Sequence, residues 1–289
     1  MPSPSANDDT FAGVAAEVAS ALRMQLLASA GGGAFKRVYH AKTGTRSVAL
    51  KIVTRPGVSL RTAREIDAIE KCDHPGICRL YRSGSCPTSQ GELSYIVEEF
   101  LPGGSLEDRI TAGGTTGEAE TLSIAQVLAG ALVHLRARDL VHRDIKPANI
   151  MFRDGGWLAP VLVDFGIVRD LSAISLTQSW LARGPGTPYF AAPEQLNNQK
   201  PLIDWRADQF SCAVTLAVAR YGAHPYKSDG EPLYSGTTVE RVANRQGPAK
   251  WFTDTAIAGQ LAALVRSVQP WPFQRFCRPA EYLQAWFVK

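Results

Sequence analysis

Apolar residues in this chain recur at helical spacing in some windows and alternate with polar ones in others. Phe11, Val14, Ala15, Val18, Ala21 and Leu22 fall on one helical face, predicting a short helix, or one running into the first strand, within residues 11–27. Met1 to Asp9, rich in Ser, Pro, Asn and Asp, reads as a disordered lead-in. The alternating run from Val38, the apolar run Val48-Ala49-Leu50, and residues 93–100 predict strands. Residues 59–71 read as a helix. Residues 122–138 read as a long buried one, with Ile124, Val127, Leu128, Ala131, Leu132 and Leu135 on one face. Further apolar helices are expected over 209–219, 256–268 and 280–287, and Ser105 is placed to cap the helix that follows it. Thr111 to Glu118 reads as a loop, and Gly/Pro-rich Tyr221 to Pro248 as irregular surface. There is no internal repeat.

Composition narrows the function classes. A chain of 289 residues with 45% apolar content can bury a large core, and a net charge of +4 is too mild to argue for nucleic acid as a partner. No window approaches the ~20 uninterrupted apolar residues of a membrane span, and the N-terminus lacks the basic and apolar regions of a signal peptide. Cys72, Cys78, Cys86, Cys212 and Cys277 fit neither a disulfide framework nor a paired metal motif. Reduced thiols in a cytoplasmic protein are the expectation.

The chemistry is concentrated in Leu140-Val-His-Arg-Asp-Ile-Lys-Pro-Ala-Asn149. It sets a carboxylate (Asp144), an ammonium (Lys146) and an amide (Asn149) within six residues, and a second carboxylate follows at Asp164 in Val-Leu-Val-Asp-Phe-Gly. Two oxygen ligands beside a base and a cation suit phosphoryl transfer from a nucleotide held by Mg²⁺. The His142-Arg143-Asp144 and Asp164-Phe165-Gly166 triplets, with Lys146 and Asn149 in register, resemble the protein kinase family. Three further features extend the resemblance. Gly31-Gly32-Gly33-Ala34-Phe35-Lys36 precedes Val48-Ala49-Leu50-Lys51, and Gly186-Thr187-Pro188-Tyr189-Phe190-Ala191-Ala192-Pro193-Glu194 closes a segment that starts at Asp164. Lys146 and the Gly186-Thr187 pair are similar to the serine/threonine-directed, Hanks-type branch, and the compact length to its bacterial members.

The resemblance implies an α+β, bilobal fold. A small β-rich lobe would span 24–101 and a larger, mainly helical lobe 102–289, after a partly disordered extension over 1–23. ATP would be bound with Mg²⁺, or Mn²⁺ in its place. In the roles so implied, Asp144 orients the acceptor hydroxyl and takes its proton, Lys146 neutralises the γ-phosphate, and Asn149 and Asp164 hold the metal. Lys51, paired with Glu65, orients the α- and β-phosphates. Gly31, Gly33, Val38 and Ala49 flank the nucleotide, and backbone groups near Glu99 and Leu101 bond adenine. The implied acceptors are Ser and Thr hydroxyls of proteins. Phosphorylation of the 167–183 stretch is expected at Thr177 first, then Ser175 or Ser179, with Ser172 also present.

Two residues depart from the pattern: Lys36 stands where a third glycine is usual, and Glu98 where an apolar residue or Thr is usual. A buried Glu98 must find a cation, a donor or a proton, and Lys51 could compete for it. These departures motivate a rival reading as a nucleotide-binding pseudokinase scaffold. A small-molecule kinase of aminoglycoside phosphotransferase type is a second rival, opposed by Lys146 and the 186–194 run. Asp208 is expected to bond the backbone of the catalytic loop. Either Arg275 or Arg278 is expected to pair with Glu194, and spacing does not decide between them.

Overall fold

A computed structural model of the chain describes residues 6–33, 36–54, 63–165 and 187–287. These fall into two compact units. One is drawn from Met1–Asp73 and Cys78–Leu101, the other from His74–Ile77, Pro102–Gly166 and Leu171–Lys289.

The first unit is an antiparallel sheet with a helix on one face. Strands β1 (Gln25–Gly33), β2 (Lys36–Thr43), β3 (Arg46–Val53), β4 (Leu80–Thr88) and β5 (Gly91–Glu99) lie in the order β1-β2-β3-β5-β4. Register decides what each face carries, because facing residues project to the same side and the side-chain period is two. Val48 faces Glu99, Leu50 faces Val97 and Ile52 faces Tyr95. With Tyr39, Ala41, Cys86 and Leu93 they form an apolar layer covered by helix α1 (Ala6–Ala21) through Phe11, Val14, Ala15, Val18 and Leu22. The other face carries Val38, Ala49, Lys51, Ile96 and Glu98.

Two expectations are corrected here. Residues 6–9 are helical and not a disordered lead-in, and the helix ends at Ala21, before the first strand at Gln25. Its Glu17 carboxylate fixes it to the turn between β4 and β5, accepting from Ser89 N and Ser89 Oγ at 2.7 Å each. Strand β4 gave no sequence signal, because Leu-Tyr-Arg-Ser-Gly-Ser-Cys-Pro-Thr is polar and holds Gly84 and Pro87. At the edge of a sheet Pro87 is tolerated. Gly84 sits under a ring, where a Cβ would stand 2.8 Å from Tyr95 Oη. Helix α2 is Ala63–Glu70, shorter than the predicted span, whose first residues lie outside those described.

In the second unit, helix α3 (Leu106–Thr111) begins at a capping box. Ser105 Oγ accepts from Asp108 N at 3.0 Å, and Asp108 Oδ2 accepts from Ser105 N at 2.8 Å. The long helix α4 (Glu118–Arg136) packs on α6 (Trp205–Tyr221), whose side chains are almost all buried. Asp204 caps α6, and Gly222 at φ +63° ends it in the left-handed conformation. A short hairpin of β6 (Ile150–Phe152) and β7 (Pro160–Leu162) follows a 3-10 turn at Pro147–Asn149. The remaining helices are α5 (Pro193–Leu196), α7 (Gly236–Ala243), α8 (Lys250–Ala258), α9 (Ala262–Ser267) and α10 (Pro279–Gln284).

Helix α7 corrects the irregular reading of 221–248: it buries only Thr238, Val239 and Val242, too short a stripe to stand out among Gly and Pro. The single helix expected over 256–268 is two. The chain turns at Gly259 and at Gln260, which sits at φ +57°, and Leu261 N closes back on Ala256 O at 2.8 Å.

Candidate active site

In the first unit the predicted nucleotide residues share one face of the sheet. Val38 is paired with Lys51 across β2 and β3, and Ala49 with Glu98 across β3 and β5. Lys51 and Glu98 are both buried, and Lys51 Nζ donates to Glu98 Oε2. Cys78 Sγ lies 3.7 Å from the same oxygen. Lys51 thus has a carboxylate partner on the neighbouring strand. Glu65 lies in α2, and its side chain is outside the described residues.

Gly31 sits at φ +115° opposite Val38, and Gly33 faces Lys36 at the end of the β1–β2 hairpin. Gly32, between them, carries a requirement the sequence did not single out: a Cβ there would stand 2.8 Å from Lys36 O. The three glycines therefore let two backbones run unusually close. At the end of β5, Glu99 N donates to Arg79 O at 2.9 Å, and Leu101 is buried.

In the second unit the loop of residues 140–149 is shaped by its own hydrogen bonds. Asp208, buried at the start of α6, accepts from His142 N at 2.7 Å and Arg143 N at 2.8 Å. His142 is buried. Its Nδ1 accepts from Asp144 N at 3.3 Å, and its Nε2 lies 2.9 Å from Val163 O. That assigns the proton to Nε2 and ties the loop to the strand end before Asp164. Val163 N in turn donates to Asn149 O at 3.0 Å, which sets the backbone before Asp164 beside Asn149. Arg143 at φ +70° and Asp164 at φ +58° both occupy the left-handed region, costly for residues with a Cβ. Their surroundings hold them there: Gln195 Nε2 donates to Arg143 O at 3.1 Å, and the His142 and Phe165 rings lie 4.9 Å apart.

The three groups expected to carry the chemistry are brought together. Asn149 Nδ2 donates to Asp144 O at 2.7 Å and to Asp144 Oδ2 at 3.1 Å, while Lys146 Nζ stands 3.3 Å from the same Oδ2. The amide spends its N–H groups on Asp144, which leaves the hard Oδ1 oxygen for a cation. With the Asp164 carboxylate it makes a donor set suited to Mg²⁺, which keeps several waters and takes few protein oxygens. Among the described residues no cluster of three or more His, Cys, Asp or Glu offers another metal site.

The stretch 167–183, with Ser172, Ser175, Thr177 and Ser179, lies outside the described residues. Its far end is anchored. His224 Nε2 lies 3.0 Å from Tyr189 O and its Nδ1 accepts from Tyr226 N at 3.0 Å; burial holds this imidazole neutral, pushing it down to about 3. Glu194 and Arg275 form a fork with no solvent exposure, Nη1–Oε1 2.6 Å and Nη2–Oε2 3.0 Å. This settles the partner of Glu194, since Arg278 lies on the surface with Glu281.

A model of the protein kinase domain matches residues 24–277. The chain is 30% identical over 236 residues to the serine/threonine-protein kinase PrkC of Bacillus subtilis, covering 79% of this chain and 35% of that protein. It is 33% identical over 271 residues to CBL-interacting serine/threonine-protein kinase 26 of Arabidopsis thaliana, covering 90% of this chain and 57% of that one. Among solved structures, Rad53 residues 1–466 in complex with AMP-PNP shares the fold at a TM-score of 0.67 and 24% identity, over 92% of this chain and 65% of that one. The matched region is between a third and about three fifths of the length of these two relatives.

Proposed function

The chain belongs to the protein kinase family, and from that premise we propose that it transfers the γ-phosphate of ATP to serine or threonine hydroxyls of protein substrates. The observation that carries the reading is the Asp144, Lys146 and Asn149 cluster, held on a loop whose backbone is bonded to buried Asp208. Asp144 orients the acceptor hydroxyl and takes its proton as the oxygen attacks phosphorus. The bond from phosphorus to the β–γ bridging oxygen breaks, and ADP leaves with the electron pair. Lys146, 3.3 Å from Asp144, supplies positive charge where the transferred group gathers negative charge. Asn149 and Asp164 would hold Mg²⁺, which when bound neutralises phosphate oxygens and fixes their geometry. Lys51 orients the α- and β-phosphates; Gly31, Gly33, Val38, Ala49 and the backbone at Glu99 and Leu101 receive the nucleotide. Glu65 is assigned as a further partner of Lys51.

Incubation with γ-labelled ATP and Mg²⁺ tests this. Wild type should label protein, and Asp144→Ala and Lys51→Met should each lose the label by about 10³-fold or more. Equal labelling by wild type and Asp144→Ala would overturn the reading. Nucleotide binding without any transfer would favour the scaffold alternative, which the substitution of glycine by Lys36 supports. We assign autophosphorylation to Thr177, Ser175 or Ser179, next in chain order to the loop that carries Arg143. Mass spectrometry finding no phosphate between Ile167 and Arg183 in active enzyme would reject that part.

A further inference from the structure

Lys51 and Glu98 are buried side by side, with side-chain exposures of 10% and 4%. Their geometry is fixed by the sheet. Ala49 faces Glu98 and Lys51 faces Ile96 across the β3–β5 ladder, so the ammonium and the carboxylate are diagonal neighbours on one face. Long side chains reach across such a diagonal. On the other side Glu98 faces Leu80 of β4, so its strand neighbours are Ala49 and Leu80. An apolar side chain would pack well there, and a lone carboxylate would cost several kcal/mol to bury, on the order of the desolvation of one ion. A charge at this place calls for a use beyond holding the fold.

We propose that Glu98 is a positioning residue for Lys51, aiming its ammonium at the phosphates of the nucleotide from within the sheet. The inference rests on the proposed kinase function and goes beyond it. A carboxylate carried by α2 would position the lysine only when that helix is in place. A carboxylate on the adjoining strand is tied to the lysine by the same backbone hydrogen bonds that make the sheet, so the ammonium is oriented in every state in which the sheet is folded. Cys78, 3.7 Å from Glu98 Oε2, adds a weak thiol donor that helps keep the carboxylate in its rotamer. The consequence for regulation is direct: displacing α2 would not by itself release Lys51.

The test compares wild-type full chain with Glu98→Gln, Glu98→Asp and Glu98→Met, reading kcat, KM for ATP and thermal midpoint for each. Glu98→Gln keeps shape and hydrogen bonding but removes the charge. It should lower kcat/KM by about 10²-fold, the scale of a misplaced catalytic group, with the thermal midpoint close to wild type. Glu98→Asp should recover part of that loss. Glu98→Met should be at least as stable as Glu98→Gln and no faster. Wild-type kcat/KM in Glu98→Gln or Glu98→Met would overturn the inference, and so would losses that simply track the thermal midpoint across the three variants. If wild type itself transfers no phosphate, the functional reading falls. If wild type is active and Glu98→Gln is indifferent, only the role of Glu98 does.

Discussion

Asp208 illustrates how single side chains decide this molecule. Its two oxygens satisfy the amides of His142 and Arg143, both on a loop with a residue in the left-handed region. Asp208→Ala strands two amides, one buried and one partly so, each worth about 1–3 kcal/mol, so urea unfolding should show a loss of about 2–4 kcal/mol and transfer should fall with it. Asp208→Asn, with one acceptor left, should lie between. His224 gives a pH signature. Burial lowers its folded pKa from 6.5 to about 3, so below pH 6.5 the unfolded chain takes up a proton that the folded chain does not. The stability it contributes is therefore complete above pH 6.5 and is lost as pH falls toward 3. From pH 6.5 to 5 that loss is about 2 kcal/mol at about 1.4 kcal/mol per pH unit. His224→Gln should unfold with a correspondingly shallower pH dependence over that range; an unchanged slope would refute the assignment. Asp144, Lys146, Asn149 and Asp208 were legible from their order in the chain. The Glu98 partner of Lys51 was legible only as a competitor, since 47 residues separate the two and no local rule joins them.

Helices α4 and α6 announce themselves because their apolar stripes are long. Strand β4 and helix α7 do not: one is an edge strand with Gly84 and Pro87, the other buries three side chains. The apolar face of α1 was visible at Phe11, Val14, Val18 and Leu22, but not that it would cover the β-sheet layer of Leu50, Ile52 and Val97. Val18 is fully buried in that layer, and Val18→Ala should cost about 2 kcal/mol by thermal or urea unfolding. A helix that merely precedes the fold would show no change. The capping box of α3 predicts a smaller effect. Ser105→Ala removes the acceptor for Asp108 N and should cost about 1 kcal/mol.

Across the molecule, distant segments are joined by a few buried polar contacts inside each unit. The Glu194–Arg275 fork links residues 81 positions apart with no exposure at either end, and Arg275 also donates to Arg206 O at 3.0 Å and Gln269 O at 2.8 Å. Glu194→Gln leaves a buried guanidinium without its counter-charge and should destabilise the chain by about 3–5 kcal/mol in urea unfolding. Arg278→Gln, on the surface, should change it by less than about 1 kcal/mol. The sequence alone determined which stretches are helical or extended and which six-residue loop carries the chemistry. Those properties follow from side-chain periodicity and backbone geometry within a few residues. Tertiary structure alone decided that Arg275 and not Arg278 meets Glu194, that Glu98 meets Lys51, and that α1 closes one face of the sheet. Such pairings depend on register and packing between segments far apart in the chain, and neither is encoded in any short window.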